Sequence, residues 1–124
     1  MIRGSCLCGA VSYSANGTLG APAACHCTQC RKQSGHVWAS SYVEDGTLDI
    51  SGDVRWYQSS PKARRGFCPT CGSALFWAHE DDDFICFSTG SIDGPTGLRL
   101  RGHIFTADKG DYYSISADEP QRET

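Results

Sequence analysis

Along the chain, apolar residues fall in short runs that alternate with polar ones or are rich in β-branched and aromatic side chains. The runs are Ala10 to Ala15, His36 to Val43, Thr47 to Ile50, Val54 to Gln58, Ala74 to His79, Phe84 to Ser88 and Leu98 to Phe105. Alternation at period two over a few residues predicts a strand with one buried face, because successive side chains point to opposite sides. Between the runs lie Asn16-Gly17, Asp45-Gly46, Ser51-Gly52, Asp81-Asp82-Asp83 and Asp93-Gly94-Pro95, all turn compositions. Asn16-Gly17 in particular reads as a hairpin turn. No long stretch repeats at the helical period; a turn or two of helix is predicted only from Thr28 to Gln33. The pattern therefore predicts an all-β, mainly antiparallel fold of short sheets with one short helix. A length of 124 residues suits a single domain. Residues 1–117 are assigned to it, and Asp118 to Thr124 form a polar tail expected to fray.

Composition narrows the function classes. The chain is 40% hydrophobic and 20% charged, a globular balance. Its net charge of −3 provides no basic field to neutralise a phosphate backbone, so nucleic acid is not an expected partner. No window approaches the ~20 apolar residues of a membrane-spanning helix. Met1 to Cys6 lacks the basic stretch and apolar run of a secretory signal, so a cytoplasmic location is expected.

The eight cysteines change the picture most. In a reducing compartment thiols bind metal or do chemistry more often than they pair, and seven of the eight sit in three tight clusters. Cys6-x-Cys8 precedes a strand, and Cys68-x-x-Cys71-Gly72 forms a knuckle between two strands. Together they offer four thiolates, a closed tetrahedral set of the kind that holds structural zinc. Gly72 follows the second knuckle cysteine, where the backbone often needs positive φ. The middle cluster, Cys25-His26-Cys27-Thr28-Gln29-Cys30, offers three thiolates and is one ligand short. An ion held by three protein groups keeps a position for an incoming ligand, as catalytic zinc does. Alternatively His26, His36, His79 or Cys86 completes that set and closes it.

Other residues carry weaker signals. His26, flanked by two cysteines, either shuttles protons or hydrogen-bonds nearby backbone. Cys86, in the apolar run Phe84-Ile85-Cys86-Phe87, reads as a buried thiol packing as a small hydrophobe. The cations Arg31, Lys32, Lys62, Arg64 and Arg65 near the clusters are either solvated or placed to bind the carboxylates of a peptide-like thiol. Trp38, Trp56, Phe67 and Trp77 read as core and rim packing. The acidic run Glu80 to Asp83 reads as a solvated hairpin tip.

Taken in order, Gly4-Ser5-Cys6-x-Cys8-Gly9-x-Val11, Cys25-His26-Cys27-x-x-Cys30-Arg31 and Phe67-Cys68-x-x-Cys71-Gly72-Ser73-x-Leu75 resemble the glutathione-dependent formaldehyde-activating enzyme family. Gly90-Ser91-Ile92-Asp93 and His103-Ile104-Phe105 extend the resemblance over nearly the whole chain. It implies a β-tent zinc fold with Cys6, Cys8, Cys68 and Cys71 on a structural ion and Cys25, Cys27 and Cys30 on a catalytic one. The implied activity is carbon–sulfur lyase chemistry, the reversible addition of glutathione to formaldehyde that gives S-hydroxymethylglutathione. Two zinc ions, a small-molecule thiol and an aldehyde are then the expected cofactors and partners. Two other classes remain in view: a non-catalytic zinc β-domain that binds a protein, and a redox sensor acting through Cys25, Cys27 and Cys30.

Overall fold

The computed structural model describes all residues, 1–124. In chain order the elements are β1 (Ile2–Ser5), β2 (Ser12–Ala15), β3 (Gly20–Cys25), α1 (Thr28–Ser34), β4 (Trp38–Glu44), β5 (Leu48–Ser51), β6 (Arg55–Gln58), β7 (Ala63–Phe67), β8 (Ala74–His79), β9 (Phe84–Ser88) and β10 (Gly102–Ile104). Single 3-10 turns occupy Thr89–Ser91 and Thr106–Asp108. The mainly antiparallel all-β class expected from the sequence is the class observed, and the helix starts directly after Cys27 and carries Cys30.

Two sheets form. A three-stranded sheet has the order β1-β2-β5, and a seven-stranded sheet the order β10-β3-β4-β9-β8-β7-β6. All pairs are antiparallel except β10, which runs parallel to β3. Period-two alternation gives the large sheet two different faces. Val43, Ile85, Phe87 and Phe76 point from it toward the small sheet, where they join Val11, Tyr13 and Ala15 in the main core. Their neighbours in sequence and register, Trp38, Cys86, Trp77 and Arg65, belong to the opposite face. There a smaller apolar cluster gathers around Cys25, Cys30 and Trp38.

Three strands carry no clear alternation and are missing from the sequence reading. In β1 and β2 the approach is set by glycine: a Cβ on Gly4 would lie 2.2 Å from the Tyr13 ring opposite it. β3 contains Pro22 and small residues, and its register shifts between Gly20 and Ala23, where a bulge accommodates a residue that cannot donate to the ladder. β7 holds Arg64 and Arg65, and its pairing between β6 and β8 outweighs propensity.

Asn16-Gly17 does not make a hairpin. β2 and β3 lie in different sheets, Gly17 is absent from the residues with positive φ, and the Asn16 N–H donates to the Thr47 carbonyl at 2.9 Å. The segment serves as a crossover because β2 finds its partners in β1 and β5. The tail lies along β10. The His103 N–H donates to the Pro120 carbonyl and the Arg122 N–H to the His103 carbonyl, each at 2.9 Å, so residues near the end line the outer edge of β10. Such cover satisfies backbone groups that an open edge would expose. No helix is long and apolar enough to cross a membrane.

Candidate metal centres and the adjoining cavity

Cys6 and Cys8 lie in the turn after β1, and Cys68 and Cys71 in the turn between β7 and β8. Each turn closes on the glycine after its second cysteine, over three residues in the first and four in the second: the Gly9 N–H donates to the Cys6 carbonyl at 3.2 Å and the Gly72 N–H to the Cys68 carbonyl at 2.8 Å. Gly72 has φ +79°, as the knuckle reading required. All four sulfurs lie within 4.8 Å of one another. A tetrahedral ion with metal–sulfur bonds of about 2.3 Å sets neighbouring sulfurs about 3.8 Å apart. The Cys6–Cys8 and Cys8–Cys68 sulfur separations are 3.7 and 3.8 Å, so the donor set fits such an ion. Hydrogen bonds support it: the Val11 N–H donates to Cys6 Sγ at 3.3 Å. Ser73 Oγ, 3.1 Å from Cys71 Sγ, helps pull that thiol down to about 5. The same hydroxyl accepts from the Leu7 N–H at 3.0 Å, tying the two turns together.

The second group forms where β3 turns into α1. Cys25 ends the strand, and Cys27 is the N-cap of the helix in extended conformation, its sulfur accepting from the Cys30 N–H at 3.3 Å. Extended backbone sends alternate side chains to opposite sides. Cys25 and Cys27 therefore share one side, and one helical turn brings Cys30 to them. Their three sulfurs lie within 4.8 Å of one another, and the group has three members, with no histidine, carboxylate or further cysteine. Proton sharing polarises the trio. Hydrogen bonds from Cys25 and then Cys30 pull the Cys27 thiol down to about 2, while the contact with Cys27 pushes Cys25 up. Three soft donors on one side of a corner suit the same type of ion.

By the same alternation His26 points the other way. Its ring is buried, with Nδ1 against the Tyr113 hydroxyl and Nε2 2.8 Å from His103 Nδ1, and His103 Nε2 is 2.7 Å from Glu119 Oε2. Burial, then electrostatic repulsion from the neighbouring His103, lowers the His26 pKa and favours the neutral ring. His36 lies on Tyr112, with Nδ1 2.8 Å from its hydroxyl.

A cavity of about 490 Å³ opens over the three sulfurs, within the ~300–1,000 Å³ of small-molecule sites. Trp38 and Trp77 wall it, and Cys86, His79 and Asp108 also line it. Cys86 is thus half-buried at the cavity rather than enclosed in the core, because Ile85 and Phe87 take the core side of β9. Burial pushes its thiol up to about 11. The Trp38 indole N–H, packed beside Cys25 and Cys30, is buried without an acceptor.

Arg65 is the feature that sequence reading left among five undifferentiated cations. It is only 6% exposed. Its Nε donates to Gln29 Oε1 at 3.2 Å and its Nη1 to Gln33 Oε1 at 2.9 Å, so two side chains of α1 hold the guanidinium in place. Nη1 and Nη2 reach Cys30 Sγ at 3.7 and 3.6 Å. His79 is likewise placed by its strand. Its Nδ1 accepts from the Asp81 N–H at 3.2 Å, which leaves the proton of a neutral ring on Nε2. Both residues share a face of β7 and β8 with Trp77, and extending the period-two count from β8 to β7 would have placed Arg65 beside His79.

Fold and site together define a class: a small β-protein with one four-cysteine and one three-cysteine cluster, each of which could hold a metal ion. The sequence profile of the glutathione-dependent formaldehyde-activating enzyme family matches residues 1–108, and the chain belongs to that family. It is 32% identical over 121 residues, 92% of this chain and 85% of its relative, to a Schizosaccharomyces pombe protein named uncharacterized lyase C29B12.13. A Rhodobacter sphaeroides protein, solved crystallographically as a structural genomics target, superposes with a TM-score of 0.64 at 22% identity. The match covers 77% of this chain and 91% of that one, and it shows the shared fold.

Proposed function

We propose that the protein is a zinc-dependent carbon–sulfur lyase that forms and breaks adducts between a small, glutathione-like thiol and an aldehyde. The observation that carries this reading is the unequal pair of cysteine groups: one has four sulfurs, the other three under a cavity. Family membership and the lyase name of the yeast relative support it. Cys6, Cys8, Cys68 and Cys71 would hold one ion and Cys25, Cys27 and Cys30 the other. A zinc ion at the second site supplies the Lewis acidity that favours a thiolate over a thiol at neutral pH.

The chain's own residues do the rest. Trp38 and Trp77 exclude water on two sides of the cavity, which strengthens every charge interaction inside it. Arg65 sets a fixed positive charge against Cys30, offsetting negative charge that accumulates when thiolates gather. In the forward direction the thiol loses its proton and its sulfur bonds to the carbonyl carbon. The carbonyl π pair moves to oxygen, which takes up a proton; the reverse breaks the C–S bond and returns the proton. His79, whose Nε2–H is free to donate at the cavity wall, is placed to serve that oxygen. His26 is turned toward His103 and Tyr113, and its role is to brace the Cys25–Cys27 corner from behind.

The test is elemental analysis of the purified protein followed by nuclear magnetic resonance exchange assays with glutathione and formaldehyde. Two zinc ions per chain and catalysed interconversion of S-hydroxymethylglutathione are expected. An uncatalysed exchange rate with both sites loaded would overturn the reading.

A further inference from the structure

The cavity over the three sulfurs is far larger than a one-carbon aldehyde needs. Such a carbonyl is close in size to a water molecule, whose share of liquid volume is ~30 Å³, whereas the cavity measures about 490 Å³. Much of its wall is apolar. Trp38 and Trp77 come from β4 and β8, Ala63 begins β7, and Ile104 and Phe105 come from the end of β10 and the residue after it. The polar arms of a peptide thiol find few partners on those side chains, so the apolar wall suits the other substrate. Charge narrows that substrate further. Arg65, the one lysine or arginine in the wall, is already held on Gln29, Gln33 and Cys30, and Asp108 adds a carboxylate. An acidic aldehyde would be repelled by that carboxylate and by cysteine thiolates; a neutral one would not.

Phe105 carries a second signal. It is the one non-glycine residue with positive φ, +54°, in the left-handed region where a bulky side chain is strained. Strained residues persist where the surrounding structure holds them, and they gather at ligand sites. Here the Asp108 N–H closes a turn on the Phe105 carbonyl at 3.1 Å. The ring lines the cavity and is 38% exposed, so it keeps apolar surface for a ligand to cover. We propose that the cavity takes a neutral aldehyde whose carbonyl bears an apolar chain of several carbons, and that Phe105 sets this specificity by packing on the chain. The inference rests on the proposed function for the reaction, which keeps the same C–S bond and proton transfer with a larger group on the carbonyl carbon. It rests on the cavity for the class of aldehyde. A one-carbon substrate leaves the apolar wall in contact with water; a longer chain displaces that water, and each methylene moved out of water adds affinity.

The experiment uses the full-length, metal-loaded protein and two readouts. Tryptophan fluorescence, with Trp38 and Trp77 in the wall, follows the binding of formamide, butanamide and hexanamide. These unreactive carbonyl compounds report the cavity without any chemistry. Affinity is expected to rise about fourfold for each added methylene, the factor for moving it fully out of water. Nuclear magnetic resonance exchange with glutathione then gives kcat/KM for formaldehyde and for hexanal. Each is divided by its uncatalysed rate constant, which removes the greater intrinsic reactivity of formaldehyde. By that measure hexanal is expected to be preferred. In Phe105→Ala the hexanal-to-formaldehyde ratio should fall about tenfold, the loss of one apolar contact face. In Phe105→Leu, which keeps an apolar side chain, the ratio should stay near that of the parent. Amide binding that ignores chain length, a parent preference for formaldehyde, or a ratio that Phe105→Ala leaves unchanged would each overturn the proposal. Chain-length-dependent amide binding without turnover of any aldehyde would uphold the ligand class of the cavity and sink the lyase reading. Turnover of formaldehyde with a flat amide series would do the reverse.

Discussion

Arg65 and Tyr13 are both buried polar residues, and each is tolerated because the fold gives it partners. Arg65 is enclosed by Gln29, Gln33 and Cys30. Replacement by Met leaves two glutamine oxygens and a sulfur without a donor. Hydrogen bonds to charged groups contribute about 1.5–3 kcal/mol each way of counting, so Arg65→Met should lower stability by roughly that amount and loosen metal held at Cys30. Arg65→Lys keeps the charge but lacks the fork that spans Gln33 and Cys30, and should recover only part of the loss in a competitive chelator titration. Tyr13 is 4% exposed, its hydroxyl 2.7 Å from Ser91 Oγ. Burial pushes its pKa up to about 12 from 10. The raised value means the folded state favours the neutral phenol. That contribution is fully present below pH 10, and is lost as pH rises from 10 toward 12 because the unfolded chain ionises first. Tyr13→Phe should flatten this alkaline fall in denaturation midpoint and, by deleting the bond to Ser91, cost about 1 kcal/mol at neutral pH.

At the scale of elements, the knuckles and the β3–α1 corner show why short motifs were the most readable part of the chain. Cys-x-x-Cys-Gly prescribes a tight turn almost without reference to the rest of the molecule, and Gly72 adopts φ +79° in open space. Gly72→Ala meets no neighbour, so its cost is the left-handed backbone alone, about 1–2 kcal/mol by denaturant titration. β8 and β9 were readable for a similar reason, since the observed bounds Ala74–His79 and Phe84–Ser88 are those expected from alternation. β1, β3 and β7 were not. Gly4, Pro22 and Arg65 break the local pattern, and each is accommodated by something far along the chain: the Tyr13 ring, the bulge against β4 and the glutamines of α1. Asn16-Gly17 failed in the opposite sense. Its hairpin chemistry is genuine, but β2 is flanked by β1 and β5, and local turn preference gives way to sheet pairing.

For the whole molecule, the two cysteine groups have unequal structural weight. Cys6 and Cys68 belong to the main core, and Cys68 is fully buried. The four-cysteine group joins segments about sixty residues apart, and structural zinc binding of about 10–16 kcal/mol rivals the whole stability of a domain. Cys68→Ser should therefore leave the chain largely unfolded, seen as loss of the cooperative melting transition; a soluble variant with an unchanged melt would contradict this. Cys27→Ser is expected to differ. Serine is itself a favoured N-cap, so the Cys30 N–H keeps an acceptor and the melting temperature should stay within a few degrees. On the proposed two-ion function, metal per chain should fall from two toward one, and thiol-dependent turnover should disappear.

The class of fold, the grouping of seven cysteines and the family were all present in the linear chain, because period-two alternation and cysteine spacing act over a few residues. Which face of the large sheet became core and which became cavity was decided only in three dimensions. Parity along β7, β8 and β9 assigns side chains to two sides, yet nothing local says which side the small sheet will cover. That choice set Arg65 against Cys30 and brought Cys86 and His79 to the cavity. It also turned His26 away from the sulfurs, since the extended segment that carries Cys25 and Cys27 on one side must present the residue between them to the other.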